Sequence, residues 1–201
     1  MLSEQDFKNA ADIIGCDVAS IKAVYEVEAA GRGYLSDGRV KILFEGHRFW
    51  KQVVKLGGNP TQFIANNPQY SNVLYKNWDK KKYKDSEKEW DRISIAIEVC
   101  TRLNLSPELA LDSASYGSFQ IMGENSVLCG YPTAHEMLAS YNNGGEPEQL
   151  ASFIRFVKST HLDDELRARN WAGFAQGYNG SKFRENKYDV KLSAAYKKHS
   201  K

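Results

Sequence analysis

Apolar residues recur along this chain with the period of a helix far more often than with that of a strand. Phe7, Ala10, Ala11 and Ile14 fall at i, i+3, i+4 and i+7, and the pattern stops at Gly15, a natural C-cap. Asp17 can cap the next helix, which the pattern runs from Asp17 to Ala30. The same spacing returns at Trp90, Ile93, Ile97 and Cys100, at Leu150, Phe153, Ile154 and Val157, and at Trp171, Phe174, Ala175 and Tyr178. Capping signals agree: Thr133 with Glu136 reads as a capping box, and Ser106 precedes Pro107 as an N-cap before the first helical position. Residues 31–47 break the rhythm. There Asp37-Gly38 sits between Tyr34-Leu35 and the β-prone run Val40 to Phe44, which predicts a β-hairpin. The pattern as a whole predicts a mainly α fold of about eight or nine helices with one small early hairpin.

Composition adds bounds. The 201 residues are 42% hydrophobic and 26% charged, with a mean hydropathy of −0.55, which suits one domain over 1–201 with a full core. The five prolines are scattered at 60, 68, 107, 132 and 147, so no linker divides the chain. No apolar run approaches the roughly 20 residues of a spanning helix. The opening MLSEQDFKNAADIIG lacks the basic flank and apolar stretch of a secretory signal. The expectation is a protein made and folded in the cytosol. Cys16, Cys100 and Cys129 are widely spaced with no CxxC pair and read as reduced thiols, mostly in the core. His47, His135, His161 and His199 form no HExxH or paired spacing, so no metal or other cofactor is expected. Walker, GxGxxG and GxSxG patterns are absent, and nothing local supports Cys129 with a histidine as a nucleophile pair. Lys and Arg total 27 against 25 acids, without a basic stripe interleaved with aromatics, which argues against nucleic acid as a partner. Residues 76–92, with seven basic and five acidic side chains, read as a solvated loop and helix start.

The helix from Asp17 carries the most informative residue. Its apolar stripe runs Ile21, Val24, Tyr25, and the next position on that face is Glu28, whereas Glu26 faces away. A carboxyl on a buried stripe loses hydration in its charged form, so its pKa rises and it can act as a general acid. The alternative is a stripe-edge glutamate paired with Arg32. Two further acids, Asp37 and Glu45, lie in the hairpin segment just after the helix. A helix-end acid faced by a carboxylate on a short sheet is the arrangement glycoside hydrolysis uses. Asp37 is equally a turn residue, and Glu45, beside His47 and Arg48, is equally one half of a buried salt bridge. A second cluster, Ser113 to Gly123, embeds Gln120 among Phe119, Ile121 and Met122. It reads either as polar groups lining a sugar pocket or as a packed helix start with Gln120 bonded internally. Tyr178-Asn179-Gly180, a third, is also a plausible helix end.

Together these segments resemble the phage-type N-acetylmuramidases, a lysozyme-like family of peptidoglycan-cleaving endolysins. The resemblance rests on IKAVYEVEAAGRGYLSDGRVKILFEGHRFW (21–50), ASYGSFQIMG (114–123) and WAGFAQGYNG (171–180), in that order, within a span from about residue 10 to 196. It implies an α+β lysozyme-like fold with the cleft beside the hairpin. Glu28 then matches the catalytic acid and Glu45 the second acidic position. Ser115, Tyr116, Gly117, Ser118 and Gln120, with Tyr178, Asn179 and Asp37, fall where such enzymes bind substrate. Ala29 and Ala30 depart from the pattern, since related enzymes often carry Ser there. The implied partner is the peptidoglycan glycan strand, cleaved at the β-1,4 bond after N-acetylmuramic acid by a monomer that waits in the host cytoplasm until the membrane is breached. The length leaves no room for a separate wall-binding module. The seven Lys/Arg of residues 181–201 against two acids suggest electrostatic attraction to anionic wall or outer-membrane lipid. Two rivals remain at this level: a lytic transglycosylase, and a non-catalytic wall-binding or virion structural module.

Overall fold

A computed structural model describes residues 2–29, 33–83, 86–181 and 183–201. Ser3 opens α1 (Glu4–Ile14) with a reciprocal cap: Asp6 N–H donates to Ser3 Oγ at 3.2 Å and Ser3 N–H to Asp6 Oδ2 at 2.7 Å. Phe7, Ala10, Ala11 and Ile14 are buried, the stripe that the spacing predicts, and Gly15 ends the helix at φ 81°, a region glycine enters without strain. Asp17 Oδ1 accepts the Ser20 N–H at 2.7 Å, and α2 (Val18–Ala29) follows. The expected helix end at Ala30 and Gly31, and Arg32, lie outside the described residues, as does Lys182 of the basic C-terminal segment.

The strand expectation needs correction. The Asp37-Gly38 turn forms, with Leu35 N–H donating to Arg39 O and Lys41 N–H to Gly33 O, both at 2.8 Å, and Gly38 at φ 86°, but among the described residues a single bridge, Tyr34 to Val40, closes it. The apolar run continues past that bridge as β1 (Ile42–Phe44). It pairs antiparallel with β2 (Ala114–Tyr116), Ile42 opposite Tyr116 and Phe44 opposite Ala114, and β2 pairs with β3 (Ile121–Met122). The regular hairpin is therefore 114–122. Burial explains the choice. Val40, Ile42 and Phe44 are buried and need a buried neighbour, which Ala114 and Tyr116 supply and the partly exposed pair Tyr34-Leu35 does not.

The other helices are α3 (Gly46–Lys55), α4 (Pro60–Asn66), α5 (Ser86–Arg102), α6 (Glu108–Asp112), α7 (Ala134–Ser159), α8 (Asp163–Ala168), α9 (Trp171–Asn179) and α10 (Tyr188–His199). Among the described residues this makes ten, more than expected, because α4, α6 and α8 are too short to show a period. In addition, α7 is two helices meeting at Gly145, φ 68°. Thr133 caps α7, its Oγ1 accepting the Glu136 N–H at 3.1 Å, whereas α6 starts one residue later than expected: Pro107 is its N-cap, and Ser106 Oγ accepts the Glu108 N–H at 3.2 Å from just outside the helix. Leu150, Phe153, Ile154 and Val157 are buried in the core, with Phe153 stacked on Phe119 at 4.5 Å between ring centroids. All three thiols are free, Cys100 and Cys129 buried and Cys16 half-buried.

The free edge of β1 is closed from α5. Phe44 N–H donates to Glu89 Oε2 at 3.0 Å, and Arg92 Nη1 donates to Phe44 O at 3.1 Å and to Glu89 Oε2 at 2.7 Å. Both side chains are buried. Removing one partner strands the other charge in the core. Arg92→Met is expected to lower unfolding free energy by about 3 to 5 kcal/mol, read by denaturant titration, and a loss under 1 kcal/mol would refute the role of the pair.

Candidate active site

Glu28 occupies the last turn of α2. Asn179, the final residue of α9, donates its Nδ2–H to Glu28 Oε1 at 3.1 Å. Protein atoms crowd the carboxyl on most sides, although part of the residue still reaches solvent. This loss of hydration disfavours the charged form and lifts the pKa from 4.5 to about 7, against the opposing pull of the Asn179 hydrogen bond and the positive charge of Lys191. The Tyr178 and Tyr188 hydroxyls are raised, first by burial and then by the negative charge of Glu28. Helix α10 packs along α2 beside the site. Its end is tied to Glu26, which accepts Lys198 Nζ at 2.8 Å and lies 2.7 Å from His199 Nε2.

Three stretches distant in sequence are linked next to Glu28. Tyr25, three residues before Glu28, lies 5.8 Å from Phe119 between ring centroids. Tyr178 donates its hydroxyl to Phe119 O at 2.7 Å, and the next residue, Asn179, reaches Glu28. The turn bearing Phe119 is pinned by Gln149 of α7, which is 1% exposed and accepts the Ser118 N–H on Oε1 at 2.7 Å. Gly117 stands at φ 72°, where a Cβ would lie 2.6 Å from that oxygen, and a Cβ on Gly33 would lie 2.2 Å from it. Two chain segments thus close on one amide, with no space for a side chain on either. Sequence reasoning did not single out Gln149. Its signal was of the same kind as that of Glu28, a polar residue at i−4 from Phe153 on an apolar stripe.

Glu45 follows β1 directly and occupies the N-cap position of α3. Its N–H donates to Ser113 O at 2.8 Å, its Oε2 accepts a short hydrogen bond from the Tyr83 hydroxyl, and His47 Nδ1 lies 3.2 Å away. Arg48 turns elsewhere and pairs with Glu124. Tyr83 comes from the segment read as a solvated loop, and only its isolation in a lysine-rich run marked it. Among the described residues no hydrogen bond or ion pair joins Glu28 to Glu45.

The remaining sequence candidates are mostly bonded inward. Ser115 Oγ donates to Gln120 Oε1 at 3.0 Å, and Gln120 Nε2 donates to Gly117 O at 2.8 Å. Gln120 keeps partial exposure at φ 48°. Tyr116 is 1% exposed and donates its hydroxyl to Leu111 O at 2.7 Å, so it faces the core instead of an open wall. Ser118 is also buried, and Tyr178 packs among Phe153, Phe156 and Phe174. Asp37 is exposed and engaged with Arg39, accepting its N–H at 3.0 Å and its Nε–H at 2.7 Å, as a turn residue would be.

A mainly α fold with a small sheet and a desolvated carboxyl at a helix end suits a glycoside hydrolase of lysozyme-like build. The chain belongs to the N-acetylmuramidase family, whose model matches residues 17–200, and it is a peptidoglycan hydrolase. It is similar to the crystal structure of a Burkholderia AP3 phage endolysin, with 34% identity and a TM-score of 0.83 over 99% of this chain and 71% of that one. No match was found among the curated proteins.

Between about pH 4.5 and 7 the folded state holds the Glu28 proton more tightly than the unfolded chain does, so this group makes stability fall as pH rises through that window. Glu28→Gln should therefore be more stable than wild type at pH 8 by about 1 to 3 kcal/mol and nearly equal at pH 4.5, as measured by thermal unfolding at both values. Asn179→Ala removes the donor that favours the carboxylate. It should shift the Glu28 carboxyl titration, followed by carbon NMR, to higher pH, and a downward shift would refute the assignment.

Proposed function

We propose that the protein is an endolysin that hydrolyses the β-1,4 bond between N-acetylmuramic acid and N-acetylglucosamine, with host lysis as the outcome. One observation carries the reading: a carboxyl raised to about pKa 7 by burial, at the junction of the three motif segments. In this reading Glu28 protonates the glycosidic oxygen as the bond breaks, and Asn179 aims the carboxyl. Glu45, held by Tyr83, activates the attacking water or steadies the positive charge on the ring. Gln120 faces the glycan. Ser115, Tyr116, Gly117, Ser118 and Tyr178 hold the wall that presents it, and Asp37 shapes the loop beside β1. The protein reaches its substrate once the host membrane is breached. The cations of α10 that are not tied to Glu26, Lys191 and Lys197, add attraction to the anionic wall.

The test is mass spectrometry of fragments released from purified Gram-negative sacculi. Wild type should leave reducing muramic acid ends, and Glu28→Gln should release them at least about 100-fold more slowly while folding normally. Glu45→Ala should also abolish release if Glu45 handles water. Anhydro ends, lighter by one water, together with tolerance of Glu45→Ala would mark a lytic transglycosylase. Binding to sacculi without any fragments would mark a non-catalytic module.

A further inference from the structure

Helix α3 carries a feature that the chemistry at Glu28 and Glu45 does not use. Its inner face, Gly46, Phe49 and Val53, is buried. On its outer side Trp50, Lys51, Val54 and Lys55 form one wall of an open groove of about 430 Å³, with Lys76 and Asn77 opposite. Val54 is 50% exposed, and Leu56 and Trp78, each next in sequence to a lining residue, are 55% and 59% exposed, an apolar margin of the kind that marks a contact surface. Lys51, Lys55 and Lys76 have no hydrogen bond or ion pair among the described residues. The acid on the adjoining surface, Glu124, is already engaged by Arg48 and Gln52. The groove therefore combines an indole and aliphatic lining with three unneutralised ammonium groups, the complement of a short chain bearing several carboxylates.

Its position narrows the occupant. Trp50 is five residues after Glu45, little more than one helical turn away. Trp78 lies 6.1 Å from Tyr83 between ring centroids, and Tyr83 holds Glu45. We propose that the groove is a subsite for the carboxylate-bearing peptide stem of peptidoglycan, an inference that rests on the muramidase reading. Each muramic acid bears its stem on a lactyl group. A strand seated with its glycosidic bond at the site brings that stem alongside, and the groove lies at the Glu45 end. Three ammonium groups spaced around an indole suit the separated carboxylates of a stem peptide.

The test compares intact sacculi with the same sacculi stripped of stems by an amidase, digested by wild type and by the triple variant K51Q/K55Q/K76Q, with reducing-end release as the readout. On intact sacculi the variant is expected to be slower by about five- to tenfold, the loss of three exposed charge contacts. On stripped strands the two proteins should agree within about twofold, which also shows that the variant is folded. Equal rates on intact sacculi would overturn the proposal, and so would an equal loss on both substrates. A variant unchanged on sacculi but no longer sedimenting with phosphatidylglycerol vesicles would assign the groove to a membrane surface instead. If wild type releases no ends from either substrate, the muramidase reading fails and the subsite falls with it.

Discussion

Phe44 gives its N–H to Glu89 and its carbonyl to Arg92, so one turn of α5 takes the place of a further strand at the open edge of a very small sheet. Two buried charges are tolerated only when each is paired and bonded. Here the guanidinium also donates to Asn72 O and Tyr75 Oη and lies 5.2 Å from the centroid of the Phe44 ring. The consequence is positional. Glu45 is the next residue, and its own N–H is tied to Ser113 O at the entrance to β2. The chain leaves the sheet with its backbone held on both sides, so the direction of the Glu45 side chain follows from a three-residue strand that could not be stable alone.

The two carboxyls are held by different physics. Glu28 is crowded by protein and given one amide donor, so its proton is retained to near neutrality. Glu45 is given a phenol and an imidazole neighbour at the mouth of a helix. Two carboxyl groups in unlike environments are what acid and base roles in one reaction require. The arrangement has a folding cost at Glu28, because a carboxyl that resists ionisation is an unfavourable thing to bury above neutral pH. Packing elsewhere offsets that cost: Tyr25, three residues before Glu28, joins Phe119, Phe153 and Tyr178 in a continuous aromatic cluster.

The longer helices were legible because their stripes extend far enough to show a period, and Glu28 was legible because it breaks one. Asn179 stood at a helix end and was picked out through its motif. The strands were not legible in the same way. β2 and β3 are three and two residues long, shorter than any alternation can reveal, and their turn needs positive φ at Gly117 and at Gln120, which is not a residue that advertises a turn. The pairing of β1 with a segment about 70 residues away is a tertiary choice made by burial, whereas the Asp37-Gly38 signal is local and could point only to its own neighbours. Tyr83 was hidden for a related reason: a side chain that crosses from a polar loop to a distant carboxylate leaves no periodicity behind.

The three recognisable motifs can be understood from where they meet. Phe119 touches Tyr25 through its ring, Phe153 through a stack and Tyr178 through its carbonyl, so the second motif is a spacer that sets the distance between the first and the third. Gly117 and Gly33 let that spacer approach Gln149 closely enough to hydrogen-bond to it, and any side chain at either position would push the turn away from the amide. A displacement there would be passed through Phe119 to Tyr178 and on to Asn179, whose amide holds the Glu28 carboxyl at 3.1 Å. The glycines and buried serines of the second motif therefore bear on Glu28 at a remove, through the chain of contacts that leads to its amide donor. Ser118, which is buried, supplies the N–H that joins this turn to Gln149.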